Sequence, residues 1–166
     1  MATHPDEAHI TARQEKYRLA INRCAIDEAM AFYSDDVHFS DFGMPCPPDS
    51  YIDSKVTHYC EGVGQLNLTK PQLHAYFTNM VESCKNLNMT TVSVNGHKNC
   101  TSWEWNITFN YVKKMDEVAN DKELGNLEVG GGLLKMIGVS VAWWNEEDKI
   151  IKNHDYAKLV ENFEGR

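Results

Sequence analysis

No run of apolar residues in this sequence approaches the roughly 18 needed to cross a bilayer as a helix. The opening eight residues, Met1 to Ala8, are acidic and lack an apolar stretch, so neither a membrane span nor a secretory leader is expected, and a cytoplasmic location is. Basic residues are in short supply: 16 Lys+Arg stand against 24 Asp+Glu, a net charge of −8. Without a cluster of five or more Lys/Arg, such a chain repels phosphate backbones and anionic lipid, so neither nucleic acid nor membrane is an expected partner. The cysteines, Cys24, Cys46, Cys60, Cys84 and Cys100, are odd in number and form no C-x-x-C pair, which points to reduced, mostly buried thiols. The sequons at Asn67, Asn88, Asn99 and Asn106 are chance matches if the chain does not enter the secretory route.

Motifs for metals and nucleotides are missing as well. There is no H-E-x-x-H, no P-loop and no G-x-G-x-x-G, and Gly130 to Gly132 precede a strand and not the helix that would cradle a phosphate. No cofactor and no metal is implied. A small neutral or cationic ligand suits the composition better.

What is present is the material of one globular domain, 166 residues with 42% hydrophobic and 24% charged. Residues 1–10 read as a tail and 11–166 as a single domain. From Thr11 to Tyr33 apolar residues recur at three- and four-residue steps, a helix that the segment Arg23 to Glu28 can bend. Val37 to Asp41 alternate with period two, a short strand with Asp41 at its mouth. Residues 43–69 carry three prolines within 45–48 and read as a long loop, suited to a lid, with a short helix near 50–59 and with Tyr51, His58 and Tyr59 to contribute. Thr69, Lys70 and Pro71 start a helix that runs to Cys84.

Strands dominate thereafter: Thr90 to Val94, Thr101 to Val112, Leu133 to Trp144 and Lys149 to Tyr156. They are separated by Asn95-Gly96, by a charged and Gly-rich stretch, and by the turn Asn145 to Asp148, with a last turn and helix ending near Phe163. The order implies an α+β fold, helices over the concave face of a strongly curved antiparallel sheet, with a ligand pocket inside.

Alternation sorts the side chains into faces without saying which face is inner. Trp103, Trp105, Ile107, Phe109 and Tyr111 share one face; Ser102, Glu104, Asn106, Thr108 and Asn110 share the other. Either the apolar face is core and the polar face solvated, or the polar face lines a pocket and the apolar one an interface. Met136, Gly138, Ser140 and Ala142 share a face, as do Ile151, Asn153 and Asp155. Asp155 lies among strand formers, where a carboxylate is exposed, structurally paired or functional. His154 beside it points the opposite way and cannot readily share its proton.

The first helix, the segment Tyr33-Ser-Asp-Asp-Val-His-Phe-Ser-Asp-Phe-Gly43 and the ending Gly138-Val-Ser through His154-Asp-Tyr156 together resemble the SnoaL-like branch of the NTF2-like cone fold. The resemblance spans nearly the whole chain apart from 44–68 and 113–130. Its mechanistic template, ketosteroid isomerase, aligns without a gap from Glu15 to Asp41. That alignment implies an oxyanion-holding tyrosine at Tyr17, a proton-shuttling aspartate at Asp41, and a second oxyanion donor at Ser140 where the isomerase has an aspartic acid. Limonene epoxide hydrolase, similar in fold, places its Asp-Arg-Asp constellation on Asn106, Glu104 and Asp155, of which only the last is retained. The histidines of scytalone dehydratase do not register on His38, His74 or His97.

What the resemblance implies is an isomerase, dehydratase or cyclase acting on a hydrophobic carbonyl compound of polyketide or terpenoid secondary metabolism, without a cofactor. Asp41 would be the base, and Tyr17 and Ser140 would hold the oxyanion. Asp155, Asn106 and Glu104 would orient substrate or move a second proton, between walls of Phe39, Tyr76, Trp105 and Trp144. The same fold also serves as a non-catalytic binding or dimerisation module. Convergence of Tyr17, Asp41 and Asp155 in one enclosure separates the two, and a homodimer is expected on either.

Overall fold

A computed structural model describes residues 5–42, 65–112, 130 and 132–160 of the chain. Among the described residues three helices, α1 (Glu7–Asn22), α2 (Ile26–Met30) and α3 (Lys70–Ser83), accompany six strands. These are β1 (Tyr33–Asp41), β2 (Gln65–Leu68), β3 (Cys84–His97), β4 (Cys100–Tyr111), β5 (Leu133–Trp144) and β6 (Ile150–Val160). They form one curved, unclosed sheet in the order β2-β1-β6-β5-β4-β3, antiparallel throughout except where β1 runs parallel to β6. The α+β class and the curved sheet with its helices are those expected; the notable addition is the parallel pair.

The first helix begins at Glu7, ahead of the expected tail boundary, because Ile10 is a core residue. It ends at Asn22, and Cys24 turns the chain in the left-handed region at φ 53° before α2. The expected bend is thus a full break. Residues 65–68 are strand β2 and not loop, and Thr69 caps α3, its backbone N–H donating to Gln72 Oε1 at 3.0 Å. The part of the expected 43–69 lid that spans 43–64, with Tyr51, His58 and Tyr59, lies outside the described residues. So does the stretch 161–166, and where the end of a helix was expected β6 continues to Val160.

The expected hairpin turn at Asn95-Gly96 is displaced. Both residues are still paired, to Ser102 and Thr101, and the chain reverses at Lys98 and Asn99. Gly96, at φ +122°, sits where a Cβ would lie 2.3 Å from the Cys100 carbonyl oxygen, so this glycine serves a close approach within the ladder.

The core settles which faces are inner. Trp103, Trp105, Ile107, Phe109 and Tyr111 are buried, and the even-numbered residues of β4 face outward. Burying these side chains against Tyr17, Ile21, Leu73 and Phe77 of α1 and α3 provides most of the driving force for the fold. In β5, Gly138, Ser140 and Ala142 point inward with Trp144. Strand β6 carries a bulge: Trp144 pairs with Ile150 and Trp143 with Lys152, leaving Ile151 as an extra residue. That one residue lets Ile150 and, three positions on, Asn153 both point inward, and Ile151 is exposed, not aligned with Asn153 and Asp155.

Helix α1 is pinned at its N-terminal half. The Arg13 guanidinium lies 3.6 Å above the centre of the Trp144 ring, donates to Asp148 at 2.6 Å and donates to the Lys98 carbonyl at 3.1 Å. Trp144, expected as a pocket wall, is engaged in this clamp, its own indole N–H donating to Thr101 Oγ1 at 2.8 Å. Tyr17 is one helical turn beyond Arg13 on the same face, so the clamp sets the depth at which Tyr17 enters the cone.

A Cβ at position 138 would stand 2.4 Å from the Trp105 ring. Gly138→Ala is therefore expected to destabilise the protein by about 1–3 kcal/mol, the usual cost of overpacking, read as a fall in the urea midpoint at unchanged slope.

Candidate active site

Inside the cone a set of polar groups breaks the apolar surface. Asp155 is at its centre, placed by β6 between Asp41 of β1 and Ser140 of β5, each directly opposite it in register. The Asn153 amide donates to Asp155 Oδ1 at 2.7 Å, and the Ser140 hydroxyl also bonds the Asp155 carboxyl. Asp155 is partly exposed. Its carboxyl is nonetheless stripped of bulk water by its surroundings, and together with the neighbouring Asp41 charge this pushes its pKa up to about 7 against the pull of Ser140 and Asn153. At neutral pH a large part of the population therefore carries a proton here.

Asp41 ends β1 and accepts a hydrogen bond from the Tyr76 phenol of α3 at 2.7 Å. Phe39, fully buried two residues earlier, packs against Tyr76, Phe77 and Tyr33. These aromatic walls place Asp41 at the rim of an apolar interior.

The third component is a pair of tyrosines. Tyr17 of α1 and Tyr33 at the start of β1 share a hydrogen bond between hydroxyls at 2.7 Å, and Tyr17 meets Phe32, Tyr33 and Trp103 edge to face. Burial and the Asp155 charge hold both phenols well above their ordinary pKa. They remain neutral donors over the working pH range. The bond between them uses one of two protons, and the other can be directed at a ligand oxygen.

The structure thus brings Tyr17, Asp41, Asp155, Ser140, Phe39, Tyr76 and Trp105 to one side of the sheet, and excludes two expected residues. Glu104 is exposed on the outer face, where Ser93 donates to it at 3.2 Å, and Asn106 shares that face. Both lie on the wrong side of β4 because Trp103 and Trp105 claim the inner side. The epoxide-hydrolase constellation is accordingly not assembled. The role expected of Ser140 also changes: its hydroxyl is engaged with Asp155 and accepts the Trp105 indole N–H at 2.9 Å. A carboxyl group, that of Asp155, stands opposite Ser140 on the adjacent strand.

Two residues of the cluster were not singled out from the sequence. Asn153 shared the inferred face of Asp155, and that spacing of two was the available signal. Tyr33 carried none, since it reaches Tyr17 only through the α1–α2–β1 reversal. Three of the described histidines lie elsewhere. His154 faces outward among Phe42, Trp143 and Tyr156, and His74 pairs with Asp27 at 2.9 Å. His38 is on the exposed side of β1. Among the described residues no group of His, Cys, Asp and Glu could hold a metal ion, and no helix is long and apolar enough to cross a membrane.

No family model matches the chain. The cyclase aurE of Calcarisporium arbuscula is 28% identical over 156 residues, 93% of this chain and 90% of that protein. Among solved structures, AclR of Streptomyces galilaeus, described as a putative hydroxylase, superposes with a TM-score of 0.61 at 10% identity, covering 94% of this chain and 92% of its own. A putative SnoaL-like polyketide cyclase from Shewanella denitrificans superposes with a TM-score of 0.58 at 11% identity, covering 93% and 92%. Identities this low establish a shared fold and leave the chemistry to be argued from the site.

The elevated pKa of Asp155 has a consequence for stability. Its folded value, about 7, is raised above the ordinary 3.8, so the folded state holds a proton that the unfolded state has released. Stability from this group is full below about pH 4 and is lost as pH rises toward about 7, by on the order of 4 kcal/mol. Asp155→Asn is expected to flatten that part of the pH–stability curve in urea titrations.

Proposed function

Because the chain has the SnoaL-like form of the NTF2-like fold, we propose that it is a cyclase of secondary metabolism acting on a hydrophobic, carbonyl-containing substrate by acid–base chemistry of its own side chains. The similarity to the cyclase aurE supports the reaction class. The observation that carries the mechanism is the meeting of Asp41, Asp155 and the Tyr17–Tyr33 hydroxyl pair on one wall of the cone. A binding module would have no need of two adjacent carboxyl groups held in unlike surroundings.

In this mechanism Asp41, oriented by Tyr76, removes a proton from the carbon beside a substrate carbonyl. The electron pair moves onto the carbonyl oxygen, and the free proton of the Tyr17–Tyr33 pair is donated to it as a hydrogen bond, strengthened by the apolar surroundings. The enolate carbon then attacks a second carbonyl of the same molecule and closes the ring. The alkoxide so formed takes a proton from Asp155, and the proton held by Asp41 restores Asp155 across the β1–β6 pair, so both carboxyl groups return to their starting state. Phe39, Tyr76 and Trp105 provide apolar surface along which an extended chain can fold.

The homodimer belongs to the same proposal. Ile137 and Val139 of β5 and Tyr156 of β6 are exposed on the outer face, with Glu104 on one flank and Lys158 on the other. A two-fold axis along β5 lays β4 of each copy over β6 of the next and matches those charges. Val139→Asp is expected to shift sedimentation from dimer to monomer; a wild-type chain that sediments as a monomer removes this part.

Substituted naphthols, which resemble an enolate, test the site directly. Tyr17→Phe should weaken their binding about tenfold through loss of the donated hydrogen bond, while Glu104→Gln on the outer face should leave it unchanged. Asp41→Asn should abolish deuterium exchange into an enolisable ketone probe that the wild type exchanges. Naphthol binding indifferent to Tyr17, or exchange that survives Asp41→Asn, would overturn the assignment.

A further inference from the structure

Ser140 hydrogen-bonds to groups on both sides. Its oxygen accepts the Trp105 indole N–H at 2.9 Å from β4, and its hydroxyl meets the Asp155 carboxyl on β6. An indole N–H can only donate, so it occupies a lone pair of Ser140 and leaves the single hydroxyl proton for Asp155. Trp105 and Ser140 are buried and the Asp155 carboxyl beside them is withdrawn from bulk water, an environment in which consecutive hydrogen bonds polarise one another. The indole is not free to swing away. It lies against Gly138, the residue opposite it in register, in the one position of β5 that leaves room for the ring.

We infer that Trp105 is a positioning residue that acts on Asp155 through Ser140, setting how strongly that carboxyl group holds its proton. The inference rests on the role of Asp155 as the acid of the proposed reaction. It extends that role to a third strand: β4 contributes a hydrogen-bond donor whose effect on the reacting carboxyl is relayed across β5. When Asp155 is ionised, the Ser140 hydroxyl donates to it and the indole sharpens that donation. When Asp155 is protonated, the Ser140 hydroxyl is less strongly drawn to it and the indole bond slackens. The other polar contact, from Asn153, approaches Oδ1 along β6 itself and is independent of Trp105.

The titratable groups that bear on Asp155 from the elements around it are Asp41 and Tyr33 from β1 and Tyr17 from α1. Of these, the two phenols stay neutral over the range in which Asp155 titrates, so Asp41 is the charge that an observed inflection shares. Any effect of Trp105 must therefore be read at the carboxyl carbon of Asp155 and at the indole itself, and not from activity alone.

The experiment is an NMR titration of the full chain that follows the Asp155 carboxyl carbon and the Trp105 indole N–H. In the wild type the indole resonance is expected to move with the same inflection as Asp155, whereas the indole of Trp103, which donates to Thr91 at 3.1 Å, stays flat. Ser140→Ala should lower the Asp155 acid dissociation constant about tenfold and uncouple the indole from it. Trp105→Phe should lower it about threefold, and the double variant should match Ser140→Ala alone, because the indole acts through the hydroxyl. Ser140→Thr, which keeps the hydroxyl, should restore the coupling.

An indole resonance that ignores the Asp155 inflection in the wild type would overturn the relay without recourse to any variant. So would single-variant effects that multiply in the double. Coupled inflections in a protein that exchanges no ketone would keep the relay and discard the cyclase. An uncoupled indole in a protein that does exchange would discard the relay and keep the cyclase.

Discussion

A carboxyl group inside an apolar cone has to be solvated by the protein or keep its proton, and much of this molecule is arranged around that requirement at Asp155. Water withdrawn from the group is replaced by three protein dipoles, those of Asn153, Ser140 and, at one remove, Trp105. These soften the cost of the charge without cancelling it, so Asp155 titrates near neutrality and not in the ordinary carboxylate range. Gly138 is a glycine so that the indole can lie over β5. The bulge at Ile151 exists at the point where β6 must change which residues face inward. Each is a local departure from regular structure, and each serves the same group.

The parallel β1–β6 pair has a chemical meaning beyond topology. It is the sheet's sole parallel contact among the described strands, and it sets Asp41 beside Asp155 with both strands running the same way. Two neighbouring carboxyl groups cannot be equally ionised without cost, so unlike surroundings set their protonation apart. Asp41 lies at a strand end with a phenol donating to it; Asp155 lies within β6, between neutral donors. The tyrosine pair completes the set, Tyr17 from the helical layer and Tyr33 from β1, and the depth of Tyr17 depends on the Arg13 clamp one turn earlier in the same helix.

Much of this was legible along the chain. The helix start at Thr69 to Pro71, the apolar face of β4, the shared face of Gly138 and Ser140 and the opposed directions of His154 and Asp155 all follow from local periodicity and cap chemistry, which act over a few residues. The unresolved choice at β4 was one of two faces, and Glu104 and Asn106 were assigned to the site through a family alignment that read the wrong one. Local alternation names the partition of a strand but not the side on which the helices will pack. Asn95-Gly96 misled for a related reason: a glycine required by close approach of Cys100 looks, in sequence, like one required by a turn.

By itself, then, the sequence determined the element types, most of their order, and the identity of the residues able to carry acid–base chemistry, because propensity, capping and alternation are short-range. Tertiary structure alone decided that Tyr33 meets Tyr17, that Asp41 stands beside Asp155, that Ser140 is engaged by an indole, and that Glu104 faces away. Those facts depend on strand order, a one-residue bulge and the burial of two tryptophans. Such features arise only when distant segments compete for the same apolar interior.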